Sequence, residues 1–82
     1  MITDIYEAFN LLELEPGLDM IGFELRDEFD DDGNPLIIEL YGNLNDSYLG
    51  ELYLLDGAWV IDCALPEVEA TILCQVLGVE DV

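Results

Sequence analysis

Basic residues are almost missing from this chain: of 82 residues, one is Lys or Arg and none is His. The lone cation is Arg26. This scarcity excludes functions that depend on positive charge. Nucleic acid as a direct ligand requires Lys and Arg to neutralise phosphates, and an anionic membrane surface requires the same groups. Most catalytic chemistry goes with them. Without His or Lys, no ordinary general base can serve a Ser, Thr or Cys nucleophile, and no side-chain amine is available for Schiff-base chemistry. Paired carboxylates could serve a glycosidase, but that chemistry needs a cleft between opposed acids, for which so short a chain has little room. The expectation is a protein that is not an enzyme and uses no cofactor.

Other absences narrow the reading further. No stretch approaches the roughly 20 consecutive apolar residues that span a bilayer. The start MITDIYEAFN lacks a basic segment followed by an apolar core. A cytoplasmic location follows as an expectation. The two cysteines, Cys63 and Cys74, have no histidine to complete a metal site and no metal-type spacing, which favours buried free thiols over a metal site, a disulfide or a redox pair.

Apolar residues and acid are present in quantity. Hydrophobic residues make up 52% of the chain, enough for a core and too many for ordinary disorder. The length predicts a single domain over residues 1–82. Against one basic residue stand 20 Asp and Glu, for a formal charge of -19. Solubility of a small domain needs a net charge of only about 2 to 8 in magnitude. Self-repulsion on this larger scale opposes the compact state, most strongly at low salt. A basic partner would account for the excess.

The periodicities predict helix, four strands, helix. Thr3 can cap a first helix carrying Ile5, Ala8, Phe9 and Leu12 at helical spacing, stopped by Pro16-Gly17. Glu13 and Glu15 fall in its last turn, where the helix dipole favours cations. Alternation then gives strands over about Met20 to Asp27, Pro35 to Tyr41 and Tyr48 to Leu55, with a fourth after the hairpin signal Asp56-Gly57. The core faces are expected to carry Ile21, Phe23 and Leu25; Leu36, Ile38 and Leu40; Tyr48, Gly50, Leu52 and Leu54; and Trp59, Ile61 and Cys63. A second helix follows, with Pro66 near its first turn and Gly78 as its stop. Short turns favour an α+β fold, α-β-β-β-β-α: a four-stranded antiparallel meander with the N-terminal and C-terminal helices packed on one face.

The opposite face then brings together Glu24, Glu39, Glu51 and Asp62, interleaved with Tyr41 and Tyr53. Like charges on neighbouring strands are expected to destabilise it. The hairpin DEFDDDGNPLIIE adds Asp30, Asp31 and Asp32. Counting Gly33 as the sixth position makes this stretch resemble a calcium-binding EF-hand loop from Glu28 to Glu39. However, Glu28 replaces the usual first Asp, Pro35 stands at the eighth position, and the flanks alternate with the period of strands rather than helices. A solvated acidic turn using Gly33 and Asn34 fits better, so no metal site is expected.

Taken whole, the chain resembles in size and charge the small acidic inhibitors of phages and mobile elements: DNA mimics, uracil-DNA glycosylase inhibitor and anti-CRISPR proteins. The resemblance rests on general character and on no shared motif. It implies a non-enzymatic inhibitor that occupies the basic nucleic-acid-binding surface of a host defence or nucleic-acid-processing protein. An immunity protein or antitoxin against a basic nuclease or toxin is the alternative, and a solvated acidic coat the blandest one. The residues expected to meet the partner are Glu24, Asp30, Asp31, Asp32, Glu39, Tyr41, Glu51, Tyr53 and Asp62. A monomer or a homodimer is compatible with these features, since edge strands can pair and charge opposes it.

Overall fold

Asp4 opens the first helix, and the computed structural model describes the chain over residues 2–79. Helix α1 (Ile5–Leu14) is capped by the Asp4 carboxylate, which accepts a hydrogen bond from the Glu7 N–H at 3.0 Å. The cap is therefore Asp4 and not Thr3. It satisfies an otherwise unpaired donor and puts a negative charge at the positive end of the helix. At the other end, Glu15 also has a structural task. Its carboxylate accepts from the Gly17 N–H at 3.2 Å and starts a short 3-10 turn, Pro16–Leu18, which buries Leu18.

Four strands follow: β1 (Ile21–Leu25), β2 (Ile37–Gly42), β3 (Tyr48–Leu55) and β4 (Ala58–Cys63). They form an antiparallel meander in the order β1-β2-β3-β4, and helix α2 (Glu67–Leu77) closes the α+β fold. The β3-β4 link is the two-residue turn that Asp56-Gly57 predicts. Both residues adopt positive φ, 52° and 80°, as the tight hairpin turn matching strand twist requires.

One side of the sheet and both helices share a core. Ile38, Leu40 and Leu52 are fully buried from the sheet, Leu12 from α1, and Leu73 and Leu77 from α2. Full burial of each such side chain stabilises the fold by roughly 1.5 to 3 kcal/mol. Trp59 belongs to this core, and its ring N–H donates to the Ile2 carbonyl at 2.7 Å. Ile2 in turn donates from its backbone N–H to the Leu77 carbonyl, so the chain start is tied to both Trp59 and α2. Leu36, expected on the core face, lies before β2 and is exposed.

The alternation of β3 breaks at one point. Leu40 pairs with Gly50, but the next residue, Tyr41, pairs with Tyr48, so Leu49 is an extra residue in β3. This bulge reverses two expected placements. Leu49 packs against the core, and Tyr48 turns to the opposite face beside Tyr41. Gly50 makes the bulge possible. Its φ is 141°, and a Cβ there would collide with the Asp62 carbonyl oxygen and Cys63 Cα. Only glycine suits a backbone in that region with another strand so close.

Candidate functional site

The sheet face away from the core is a register-matched lattice. Glu24 pairs with Glu39, Glu39 with Glu51, and Glu51 with Asp62, so a single row of carboxylates crosses all four strands. One step along the strands lies a second row, in which Ile37 pairs with Tyr53 and Tyr53 with Val60. On the other side of the acids, Tyr41 pairs with Tyr48, their rings edge to face at 5.5 Å. The face thus carries an acidic row between an apolar strip and a tyrosine pair.

Arg26 sits in the middle of the acids. It follows the last residue of β1, and its backbone N–H still donates to the Ile37 carbonyl in the manner of a strand. Its side chain then leans across two strands. Nε donates to Glu39 Oε2 at 2.9 Å and a terminal guanidinium nitrogen to Glu51 Oε2 at 2.7 Å. The same terminal nitrogen donates to the Tyr48 hydroxyl at 3.3 Å, and the Tyr41 hydroxyl donates to Glu39 Oε1 at 3.1 Å. The one cation of the chain is therefore placed where like charges would repel most, between the two central carboxylates. The expected destabilisation of the row is offset at its centre and persists at its ends, where Glu24 and Asp62 are exposed.

The titrating groups register this network. The hydrogen bond to Glu39 chiefly, aided by Glu51, raises the affinity of Arg26 for its proton above the usual range. The Tyr41 phenol is also pushed up, first by its hydrogen bond to Glu39 and then by desolvation and nearby negative charge. Both shifts have one physical origin: the carboxylates favour protonated neighbours.

The acidic hairpin is a separate structure. The Asp30 carboxylate accepts from the N–H groups of Asp32 at 2.9 Å and Asn34 at 2.8 Å, and the Asp30 N–H donates to the Asn34 carbonyl. These contacts, the bond from the Asn34 backbone foremost, hold the Asp30 carboxyl below the usual range. A bridge between Phe29 and Pro35 closes the loop below them. Asp30 is thus the internal cap of a turn. The loop leans toward the helical layer, where Asp30, Asn34 and Pro35 line a depression with Thr3, Asp4 and Ile5. Among the described residues no group of three or more His, Cys, Asp or Glu is arranged to hold a metal ion.

Of the expected partner-facing residues, the structure gathers Glu24, Glu39, Tyr41, Glu51, Tyr53 and Asp62 on one face, whereas Asp30 caps its own turn beside the start of α1, and Asp31 and Asp32 stay on that exposed hairpin, outside the strands. Negative charge instead continues around the β1 side, where Glu13, Asp19, Glu24 and Asp46 line one depression. Four residues of the face stood outside the expected partner-facing set: Arg26, Ile37, Tyr48 and Val60. Three were signalled by alternation, since Arg26 is in phase with Glu24, Ile37 with Glu39, and Val60 with Asp62. Tyr48 was hidden by the bulge. Cys63 and Cys74 are not joined in a disulfide and are half-buried rather than buried; burial chiefly, with Asp62 nearby, pushes the Cys63 thiol up and keeps it protonated. No helix among the described residues is long and apolar enough to cross a membrane. Comparison with protein-family models, with curated proteins and with solved structures found no match to this chain.

Proposed function

We propose that this chain is a non-enzymatic acidic inhibitor that docks its open sheet face on the basic nucleic-acid-binding surface of another protein, in the manner of a nucleic-acid mimic. The observation that carries this reading is the in-register row Glu24, Glu39, Glu51 and Asp62. Neighbouring strands are about 4.8 Å apart, so the row is roughly 14 Å long with one acid per strand. One strand of B-form DNA carries one phosphate per about 3.4 Å of axis. The row is sparser than a phosphate strand, but as a single line of acids it suits a groove that holds one backbone strand better than one that grips a duplex from both sides.

Two further features support docking on protein rather than a mere coat of charge. The acids stand on a sheet, which fixes their spacing, and they are flanked by the half-buried Ile37, Tyr41, Tyr53 and Val60 and the exposed Tyr48, which offer contact area to a partner. The natural targets of this design are a host defence nuclease or another nucleic-acid-processing enzyme, as for anti-CRISPR and anti-restriction proteins. The action would then be in the cytoplasm of the host cell. A second reading, an immunity protein or antitoxin against one basic toxin, is favoured by the tyrosines beside the acids, which suit an anchor in a single dedicated partner.

The test is capture from bacterial lysate on the immobilised protein at low salt, with elution by rising salt. A parallel column carries the Glu24→Gln, Asp62→Asn variant. The proposal predicts nucleic-acid-binding proteins that elute with salt, are displaced by added DNA or RNA, and are depleted on the variant column. Retention of one small toxin indifferent to nucleic acid would favour the second reading. Recovery of neither class would sink both.

A further inference from the structure

The seat that Arg26 occupies shows what kind of side chain the open face accepts. Two carboxylates on adjacent central strands are spanned by one planar guanidinium, through Nε on Glu39 and a terminal nitrogen on Glu51. The seat itself belongs to β2 and β3, and Tyr41 steadies it by holding the second oxygen of Glu39. The occupant enters from outside those strands, at the point where β1 has ended and the long hairpin begins. We propose that Arg26 is an internal stand-in for an arginine of the partner, and that docking proceeds by exchange: a partner guanidinium takes the Glu39-Glu51 seat, Arg26 swings out with the hairpin, and apolar partner side chains cover Ile37, Tyr53 and Val60. The inference rests on the function proposed above and names the partner's recognising chemistry as arginine.

Charge and geometry both carry this step. The chain has no second cation to refill the seat, so the complementary charge has to come from the partner. Guanidinium presents a rigid fork of donors that matches two carboxylates at once, whereas an ammonium is a compact point charge. Exchange replaces one ion pair by an equivalent one, and the seat is open enough, with Arg26 27% exposed, for solvent to ease the swap. The apolar strip lies in the adjacent register row, within reach of the same partner element. Arg26 is then a brake. It protects the free protein from internal repulsion and weakens casual binding of cations until a partner supplies both arginine and apolar contact.

The experiment compares two variants of equal net charge, Arg26→Gln and Gln75→Glu, the latter on the exposed side of α2. Each folded variant and the wild type are titrated with nona-arginine and with nona-lysine by calorimetry. Opening the seat predicts that Arg26→Gln binds nona-arginine roughly five to tenfold more tightly than wild type, since it frees two partly exposed pairing sites. The remote charge of Gln75→Glu predicts a change under about twofold. The gain on nona-lysine is predicted to be smaller. An Arg26→Lys variant, which keeps the charge and loses the fork, serves if Arg26→Gln fails to fold, and is expected to bind nona-arginine more tightly than wild type. Arg26→Gln, or Arg26→Lys where it serves instead, binding no better than Gln75→Glu would overturn the exchange while leaving the acidic docking face intact. Failure of every variant to bind either peptide at low salt would overturn both.

Discussion

Replacing Gly50 with alanine tests how the fold builds the tyrosine side of the face. The backbone there has φ 141°, a region that non-glycine residues occupy at a cost of about 1 to 3 kcal/mol. The added methyl would meet the Asp62 carbonyl oxygen and Cys63 Cα, backbone atoms that give way only if β4 moves off β3. Overpacking of this kind costs a further 1 to 3 kcal/mol or so. The sum, about 2 to 6 kcal/mol, is a large part of the roughly 4 to 12 kcal/mol expected for a domain of this size. At about 4 to 8 °C per kcal/mol, the melting temperature should fall by at least ~8 °C, read by circular dichroism. The matched control is Gly57→Asn: Gly57 sits in a left-handed turn that Asn tolerates, and no atom lies within 4 Å of a Cβ there. A Gly50→Ala melting temperature within about 2 °C of wild type would refute both the close approach and the bulge that turns Tyr48 outward.

Three other outcomes follow from the charges. Monovalent salt should raise the melting temperature of the free protein by screening self-repulsion, and more steeply in Arg26→Gln, where the central acids lose their cation; a flat or falling response in both would show that the carboxylates are not crowded. Because the hydrogen bonds of Asp30 depress its carboxyl, the loop is stabilised above the ordinary Asp value of 3.8 and loses that support as pH falls through the lower folded value. The amide signals of Asp32 and Asn34 in NMR should therefore move with a midpoint below 3.8, and a midpoint at or above it would contradict the cap. Tyr41, raised above 10.0, contributes stability that is present below the unfolded value and lost as pH rises through the folded one. In alkaline absorbance titrations, Tyr41→Phe should remove a phenol signal with a midpoint above 10.0, and loss of one at or below that value would count against its bond to Glu39.

Most of the fold was legible because period-two alternation and turn chemistry agreed along the chain. Asp56-Gly57 specified its turn, and Ile38, Leu40 and Leu52 specified the buried side of the sheet. The alternation of Glu24, Glu39, Glu51 and Asp62 put them on one face, and short connections made the strands neighbours, but the register that aligns them in a single row depends on hydrogen-bond pairing that composition does not reveal. The bulge was illegible for a related reason. Gly50 read as a small core residue, whereas its conformation inserts Leu49 and shifts Tyr48 by one step. Arg26 was visible in the right phase, yet its reach across two strands comes from a long side chain leaning from the end of β1. The acidic hairpin misled by density of charge: Asp30 satisfies its own turn, and the loop leans away from the sheet face.

The central claim is that the sheet face occupies a nucleic-acid groove, and competition on a captured partner tests it most directly. Labelled DNA or RNA bound to that partner is followed by fluorescence anisotropy while this protein is added, at several salt concentrations, with Glu24→Gln, Asp62→Asn alongside. The account predicts full displacement of the nucleic acid, steep weakening of the protein's own affinity as salt rises, and a right-shifted curve for the variant with lost row ends. A stable ternary complex of partner, nucleic acid and this protein, indifferent to the row variant, would contradict it.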